Sequence, residues 1–232
     1  MHAARWRTRV AMTMATVAVT TATSATTATA ATEAPAAPSA PSAPAATAAT
    51  AAASATTTAA PAPVDYGAWQ RDVAAVIAQA RPYIEQRTSS PAGQSPAGER
   101  MAIVLDIDNT SLETDFHYFW EYPTPAVGPV RDLARYADSR GVDVFFVTAR
   151  PGILHAPTSY NLTRAGYPVD GLYVRDLPDL FDEVSAYKTA KRGEIEAKGY
   201  TIIANIGNRA TDLVGGHAEK TFKLPDYDGR LS

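Results

Sequence analysis

The chain has 232 residues, a formal net charge of −3 and no cysteine. Without cysteine, disulfides, thiolate metal sites and a cysteine nucleophile are excluded. The slightly acidic balance gives no nucleic-acid-binding footprint, which needs a clustered basic face. Composition changes near residue 64, where an Ala-, Thr-, Pro- and Ser-rich segment gives way to a normal globular mixture. Residues 64–232 are long enough to form one domain with its own core.

The first 63 residues divide into two segments. Residues 1–30 have a basic start, a short apolar core and a small-residue cleavage site, which together predict a signal peptide. The alternative is a disordered tail whose basic start is accidental. Residues 31–63 have few bulky apolar side chains, which predicts a disordered Ala/Pro/Thr linker. No stretch has the ~20 apolar residues of a membrane span, so we expect the signal to be cleaved rather than kept as an anchor. The signal therefore predicts a secreted, extracellular protein without a stable membrane anchor.

Strand and helix patterns alternate in the globular part. Asp65 is a suitable N-cap for a first helix, whose apolar residues recur at helical spacing as far as Ile84. The later elements are predicted as strands at 102–105, 142–147, 172–174, 200–206 and 221–224, and helices at 128–140, 156–165, 184–198 and 209–214. This order predicts an α/β fold with a doubly wound, Rossmann-like parallel sheet that is covered by helices on both faces.

Residues 102–110 read AIVLDIDNT, an apolar strand that runs directly into two carboxylates. Charges at the end of a buried strand are costly unless a site uses them, and ligands of open α/β sheets bind at the carboxyl ends of the strands. Polar residues follow four of the predicted strands, so we expect them to converge at this edge. They are Asp106 and Asp108, Thr148 and Arg150, Arg175 and Asp176, and Asn208 and Asp212, with Lys188 nearby on the preceding helix.

These residue types favour one kind of chemistry. Carboxylates bind a hard divalent cation, most naturally Mg²⁺, whereas a lysine and a threonine hydroxyl hold an anion. Two carboxylates alone would repel phosphate, since a like-charge pair at ~4 Å costs ~4 kcal/mol at an effective dielectric constant of 20. A cation and a lysine beside them make phosphate binding possible. The pattern therefore indicates a metal-assisted phosphate site.

Four segments resemble the motifs of haloacid dehalogenase-like (HAD) phosphatases. They are DIDNT at 106–110, FVT at 146–148, Lys188, and IGNRATD at 206–212. Their order and spacing fit, and further details, including Arg192, resemble the subfamily IIIB acid phosphatases, which include bacterial class B enzymes and plant vegetative storage proteins. The resemblance covers residues 65–226. It implies a HAD fold with a small cap inserted at 111–127.

The resemblance also implies catalytic roles. Asp106 would be the nucleophile that forms an aspartyl-phosphate, and Asp108 would be the general acid and then the base. Thr148 and Lys188 would hold the phosphoryl oxygens. For Arg150 two readings stay open, because it either contacts the phosphate or leaving group, or pairs with an acid.

The implied metal is Mg²⁺, bound by the Asp106 carboxylate, the main-chain carbonyl of Asp108 and the fourth motif. The first acid of that motif is replaced here by Asn208. An amide oxygen coordinates without charge, so we expect a weaker or differently arranged site. Asp212 would then bind the metal directly or through water.

The leading hypothesis is a secreted, Mg²⁺-dependent phosphomonoesterase acting on small phosphate monoesters. Two alternatives are a non-catalytic storage or binding protein with the same fold, and a phosphoacceptor domain. Within the aromatic cluster at 116–120 we expect packing of the cap for most residues, with Phe116, His117 and Tyr118 as pocket candidates. Glu113 and Asp115 are expected to be solvated or structural. The sequence leaves the natural substrate, the pH optimum and the oligomeric state open.

Overall fold

A computed structural model describes residues 63–89 and 98–231. The predicted signal peptide at 1–30, and the linker at 31–63 except its last residue, lie outside this part of the chain. The described helices and strands are, in chain order, α1 (Tyr66–Thr88), β1 (Arg100–Leu105), α2 (Gly128–Ser139), β2 (Asp143–Pro151), α3 (His155–Arg164), β3 (Gly171–Arg175), α4 (Val184–Ala197), β4 (Tyr200–Gly207), α5 (Ala210–Leu213) and β5 (Thr221–Lys223). Short 3₁₀ turns occur at Thr114–Phe116, Gly152–Leu154 and Asp179–Phe181.

The five strands form one parallel sheet in the order β3-β2-β1-β4-β5. The chain moves outward from β1 through β2 to β3, then returns to the other side of β1 for β4 and β5. Leu105, the last residue of β1, pairs with Phe146 of β2 and with Ile206 of β4. The residue after Leu105 therefore enters the crevice at the reversal of strand order, where doubly wound sheets bind their ligands. The predicted doubly wound α/β fold is confirmed.

Helices cover both faces of the sheet because β1 is apolar on both sides. Ile103 and Leu105 are fully buried in a cluster with side chains of α1 and α2. Val104 points to the opposite face and packs with Tyr187 and Ile195 of α4. Burial of both faces accounts for the continuous apolar run in the sequence.

The first helix begins where the sequence predicts. The Oδ1 atom of Asp65 accepts a hydrogen bond of 2.6 Å from the amide of Ala68, so the predicted N-cap is confirmed. The helix buries Trp69, Val73 and Ile84 against the sheet. This face fixes α1 on the core through apolar burial.

Strand β2 is longer than predicted. We expected it to end at residue 147, but it continues to Pro151, and its pairing with β3 shifts register between Val147 and Pro151. Thr148 and Arg150 therefore lie in the strand rather than after it. Pairing with Arg175 of β3 carries the strand beyond the apolar run on which the prediction rested.

In the two ranges that the structure describes, no helix has both the length and the apolar character required to cross a bilayer.

Candidate active site

A pocket of about 250 Å³ opens at the carboxyl edge of the sheet. Its lining includes five of the residues predicted from the sequence. The full lining is Asp106, Asp108, Ala149, Val184, Lys188, Asn208, Arg209, Thr211 and Asp212. Three different strand ends and the start of α4 thus contribute side chains to one small space.

A buried lysine joins two carboxylates at the base of the pocket. The Nζ atom of Lys188 donates to Oδ1 of Asp106 at 2.5 Å and to Oδ1 of Asp212 at 2.7 Å. All three side chains are at most 7% exposed. Buried charges of this kind persist only when they are paired and hydrogen-bonded, and here one ammonium faces two carboxylates. The array therefore keeps a net negative charge that can attract a further cation.

Burial and charge act in opposite directions on these groups. Burial raises the pKa of Asp106 to about 6, and the neighbouring charge of Lys188 works against this rise. The negative charges of Asp212 and Asp108 also raise the pKa of Asp106. Burial by itself lowers the pKa of Lys188, but the charges of Asp106 and Asp212 outweigh it, so that pKa lies above its ordinary value. The lysine is the stable cation of the array.

The loop after β1 holds Asp106 in place. Its amide donates to the carbonyl of Ile206 at 3.0 Å, and its own carbonyl accepts from Oγ of Ser111 at 2.6 Å. The carbonyl of Ile107 accepts from the amides at 110, 111 and 112. Asn109 has a φ of 52°, a left-handed conformation that asparagine tolerates better than most residues. The sequence after Asp106 therefore forms a tight turn around the strand end.

Asp108 is held by an arginine and a threonine. Arg150 donates from Nε to Oδ2 at 3.1 Å and from Nη2 to Oδ1 at 2.7 Å, and Thr114 donates to Oδ1 at 2.9 Å. The Nη1 atom of Arg150 donates to Oγ1 of Thr158 at 3.2 Å. Two interpretations of Arg150 were open from the sequence. In the structure Arg150 pairs with an acid, Asp108. Thr148 is fully buried beside it, and its Oγ1 accepts from the amide of Arg150 at 3.2 Å.

Hydrogen bonds connect Asn208, which follows β4, to two other segments of the chain. The amide of Asn208 donates to Oγ1 of Thr110 at 3.0 Å, and that hydroxyl donates to Oδ1 of Asn208 at 3.3 Å. The Nδ2 atom of Asn208 donates to the carbonyl of Leu231 at 3.5 Å. A Cβ atom on Gly207 would lie 2.4 Å from the Cβ of Asp212, so only glycine allows this close approach. The glycine of the fourth motif thus lets Asp212 reach the pocket.

Two residues that support Asp212 were not predicted as site residues. Arg192 is buried, and its Nη1 donates to the main-chain carbonyl of Asp212 at 2.8 Å. The Nδ2 atom of Asn205 donates to the same carbonyl at 2.9 Å. The spacing in the sequence could have indicated that Arg192 is near the site, because it follows Lys188 by four residues and therefore shares its helix face.

The expectation that Arg175 and Asp176 join the site is wrong. The guanidinium of Arg175 donates instead to the carbonyls of Asp179, Leu180 and Asp182. Both residues line a separate pocket of about 500 Å³. The reason is that β3 is the edge strand and β2 lies between it and β1.

Phe116 and Glu113 anchor the segment after β1 on the first helix. The ring of Phe116 stacks on Trp69 with centroids 4.5 Å apart. Glu113 is buried and accepts from Tyr66 at 3.0 Å and from Gln70 at 2.6 Å. The structural reading of Glu113 is confirmed.

We expected most of the aromatic cluster to pack, but its later residues are exposed. Tyr118 is 65% exposed, Phe119 is 89% exposed and Trp120 is 64% exposed. Tyr118 and Trp120 stack on each other at the surface with centroids 4.5 Å apart. His117 lies between Glu113 and Glu121, with ring nitrogens 3.2 and 3.1 Å from their carboxylates. The lining of the 250 Å³ pocket includes none of the aromatic residues described here.

The pocket offers oxygen donors of the type that Mg²⁺ takes. Asp106 and Asp212 contribute carboxylates, and Asn208 contributes an amide oxygen. Within the described residues, no three Asp, Glu, His or Cys side chains form a metal cluster. The donor set fits a hard divalent cation, with less negative charge than an all-carboxylate site supplies.

Comparison with known families identifies a relationship along most of the chain. A model of the HAD superfamily, subfamily IIIB (acid phosphatase), matches residues 18–230. Among curated proteins, a stem 28 kDa glycoprotein of Glycine max is 37% identical over 92 residues, which are 38% of this chain and 36% of that protein. Acid phosphatase 1 of Solanum lycopersicum is 30% identical over 104 residues, 44% of this chain and 41% of that protein. The matches thus span less than half the length of these relatives.

Among solved structures, the class C acid phosphatase from Bacillus anthracis has a similar fold. The TM-score is 0.55 at 18% identity, and the match covers 70% of this chain and 80% of that one. At this identity the similarity describes the fold and not the substrate.

Proposed function

Because the chain belongs to the acid phosphatases of HAD subfamily IIIB, we propose that it is a phosphomonoesterase that hydrolyses small phosphate monoesters through an aspartyl-phosphate on Asp106. The observation that carries this proposal is the buried array of Lys188 with Asp106 and Asp212 in a pocket at the sheet edge. Such an array provides a nucleophilic carboxylate and a cation in direct contact.

The first step is transfer of the phosphoryl group. A carboxylate oxygen of Asp106 attacks phosphorus, the bond between phosphorus and the ester oxygen breaks, and Asp108, which holds a proton in the substrate complex, gives it to that oxygen as the alcohol leaves. Asp108 lies two residues beyond the nucleophile and lines the same pocket. In this proposal Asp106 attacks phosphorus and Asp108 transfers the proton.

The second step is hydrolysis of the aspartyl-phosphate. Water attacks phosphorus while Asp108 takes its proton, and the bond between phosphorus and Asp106 breaks. Inorganic phosphate leaves, Asp106 is again a carboxylate, and Asp108 is again protonated. The cycle needs no oxidant, reductant or second substrate.

Positive charge and backbone donors make the site suitable for phosphate. Lys188 offsets the repulsion between the phosphoryl oxygens and the carboxylates, which is ~4 kcal/mol for one charge pair at ~4 Å and an effective dielectric constant of 20. The hydroxyl of Thr148 is the second proposed phosphate contact. The amides of residues 110–112 already donate to Ile107, so we assign the amides of Ile107 and Asp108 to the phosphate.

We also propose that the enzyme uses Mg²⁺, held by Asp106, the carbonyl of Asp108, Asn208 and Asp212. When bound, the ion would supply positive charge to the phosphoryl group and to the nucleophile. The residues of the chain have a separate task, which is to orient the donors. The hydrogen bonds of Asn208 to Thr110 and of Arg192 to Asp212 support this orientation.

Secretion is proposed from the sequence of residues 1–30, which has the features of an export signal. The test is the N-terminus of the protein recovered from the culture medium of a secreting host. Cleavage close to residue 30 supports export. Recovery only inside the cell, with an intact N-terminus, contradicts it.

The proposed activity is tested with nitrophenyl phosphate in Mg²⁺ and in EDTA. Sustained turnover by the wild type that is lost in Asp106→Asn, and retained in Asp138→Asn on the surface of α2, supports the enzyme. Absence of turnover over a range of metals and pH values favours the non-catalytic storage or binding protein. A single labelling event without turnover favours the phosphoacceptor.

A further inference from the structure

Arg209 is a charged residue of the pocket that the proposed reaction does not use. The other two cations close to the reacting groups are already engaged, Lys188 by two carboxylates and Arg150 by the carboxylate of Asp108. Arg209 lines the same pocket. Among residues 63–89 and 98–231, no acidic side chain forms an ion pair with it. A guanidinium without a carboxylate partner in a substrate pocket is suited to an anion from the substrate.

Arg209 forms one hydrogen bond through its main-chain amide and one through its guanidinium. Its amide donates to Oδ2 of Asp212 at 2.7 Å, which sets the start of the side chain. Its Nη1 donates to the carbonyl of Leu231 at 3.4 Å, which tethers the guanidinium weakly through one of its donors. A guanidinium has five N–H donors, so this tether leaves most of its fork for a ligand.

The location of Arg209 separates it from the reacting phosphate. Lys188, which contacts the nucleophile, is 3% exposed, whereas Arg209 is only half-buried and is the N-cap residue just before the short helix α5. The scissile phosphoryl group belongs beside Lys188 at the base of the pocket. A group bound by Arg209 therefore lies farther out, on the leaving-group part of the substrate.

We propose that Arg209 is a specificity-determining residue that binds a second anionic group, a carboxylate or another phosphate, on the leaving group of the substrate. The preferred substrates are accordingly phosphate monoesters whose alcohol carries its own negative charge. The proposal rests on the proposed phosphatase function and deepens it by naming the class of leaving group.

The experiment compares two substrates that differ in one charge, phenyl phosphate and carboxyphenyl phosphate. The variants are Arg209→Gln, which removes the charge, and Arg209→Lys, which keeps it without the planar fork. The matched control is Arg135→Gln, a change at an exposed arginine of α2. Each variant is compared with the wild type on each substrate, so that the intrinsic reactivity of the two esters cancels.

We expect Arg209→Gln to raise KM for carboxyphenyl phosphate about tenfold more than KM for phenyl phosphate. Arg209→Lys should recover part of this difference, and Arg135→Gln should show none. An equal change on both substrates overturns the proposal, because Arg209 would then act on the scissile phosphate or on folding. Turnover of neither substrate by the wild type refutes the phosphatase function itself, and the two failures are thereby distinguished.

Discussion

The guanidinium of Arg150 holds both carboxylate oxygens of Asp108, with donor–acceptor distances of 2.7 and 3.1 Å. The Nη1 atom of Arg150 donates in addition to Thr158 of α3, which anchors the arginine. Two parallel hydrogen bonds between charged groups fix an orientation as well as a distance. The carboxylate proposed to move protons is therefore oriented before any substrate binds, and Arg150 acts on the reaction through it.

We predict that Arg150→Ala lowers kcat/KM about tenfold to hundredfold, the effect of ~1.5–3 kcal/mol from hydrogen bonds to a charged group. The loss should be larger for an alkyl phosphate than for nitrophenyl phosphate, because the poorer leaving group depends more on a proton from Asp108. Steady-state kinetics on both substrates check this, with Arg135→Ala as the control. Equal losses on both would mean that Arg150 binds the phosphate instead.

Lys188 should be essential for stability as well as for activity. We predict that Lys188→Met lowers the free energy of unfolding by ~3–5 kcal/mol, because it leaves Asp106 and Asp212 as buried charges without a partner. Urea unfolding at neutral pH measures this loss. In the double variant Lys188→Met with Asp212→Asn, which removes one of the two charges, part of the stability should return. A single variant as stable as the wild type would contradict the buried array.

The sequence was sufficient for most of the architecture. The apolar run before Asp106 and the repeated strand–helix order allowed the parallel sheet to be predicted. The strand ends located four residues that line one pocket, and the helix before β4 located the fifth, Lys188. These inferences succeed because the apolar pattern that indicates a buried strand or helix is a local property of the chain. They rest on a small number of strongly apolar segments.

Other features depend on strand order and on side-chain partners, which are not local. Arg175 follows its predicted strand as Thr148 does, but β3 is at the edge of the sheet and its arginine binds nearby carbonyls. Trp120 is aromatic and yet exposed, because only the first part of its segment reaches α1. The pairing of Arg150 with Asp108 likewise requires the two strand ends to be adjacent.

The pKa of Asp106 predicts a pH effect on the metal-free protein. Because the folded-state pKa is raised to about 6, above the ordinary carboxyl value of ~3.9, its contribution to stability is fully present below the unfolded pKa. That contribution is lost as the pH rises through about 6. Asp106→Asn lacks this titration. In EDTA, the Tm of the variant should therefore rise relative to that of the wild type between pH 4 and pH 7, by about a few degrees. A constant difference would contradict the burial of this carboxyl.

Asn208 should limit the affinity for the metal. Asn208→Asp restores a negative charge among the proposed ligands, so we predict that the Mg²⁺ concentration for half-maximal activity falls about tenfold, since ligand charge tunes cation affinity. Activity as a function of free Mg²⁺ measures this shift. Thermal melting serves as the control, because the same change removes the Nδ2 contact with Leu231. An unchanged or higher Mg²⁺ requirement would show that residue 208 is not a ligand.

In the proposed reaction, Asp106 carries the phosphoryl group between the two steps. The most direct measurement is mass spectrometry of peptides from enzyme quenched in acid during the first turnover of nitrophenyl phosphate. We expect one added phosphoryl group on the peptide that contains Asp106 in the wild type and in Asp138→Asn, and none in Asp106→Asn. Steady turnover by Asp106→Asn, or a phosphoryl group on another residue, would contradict the proposed reaction.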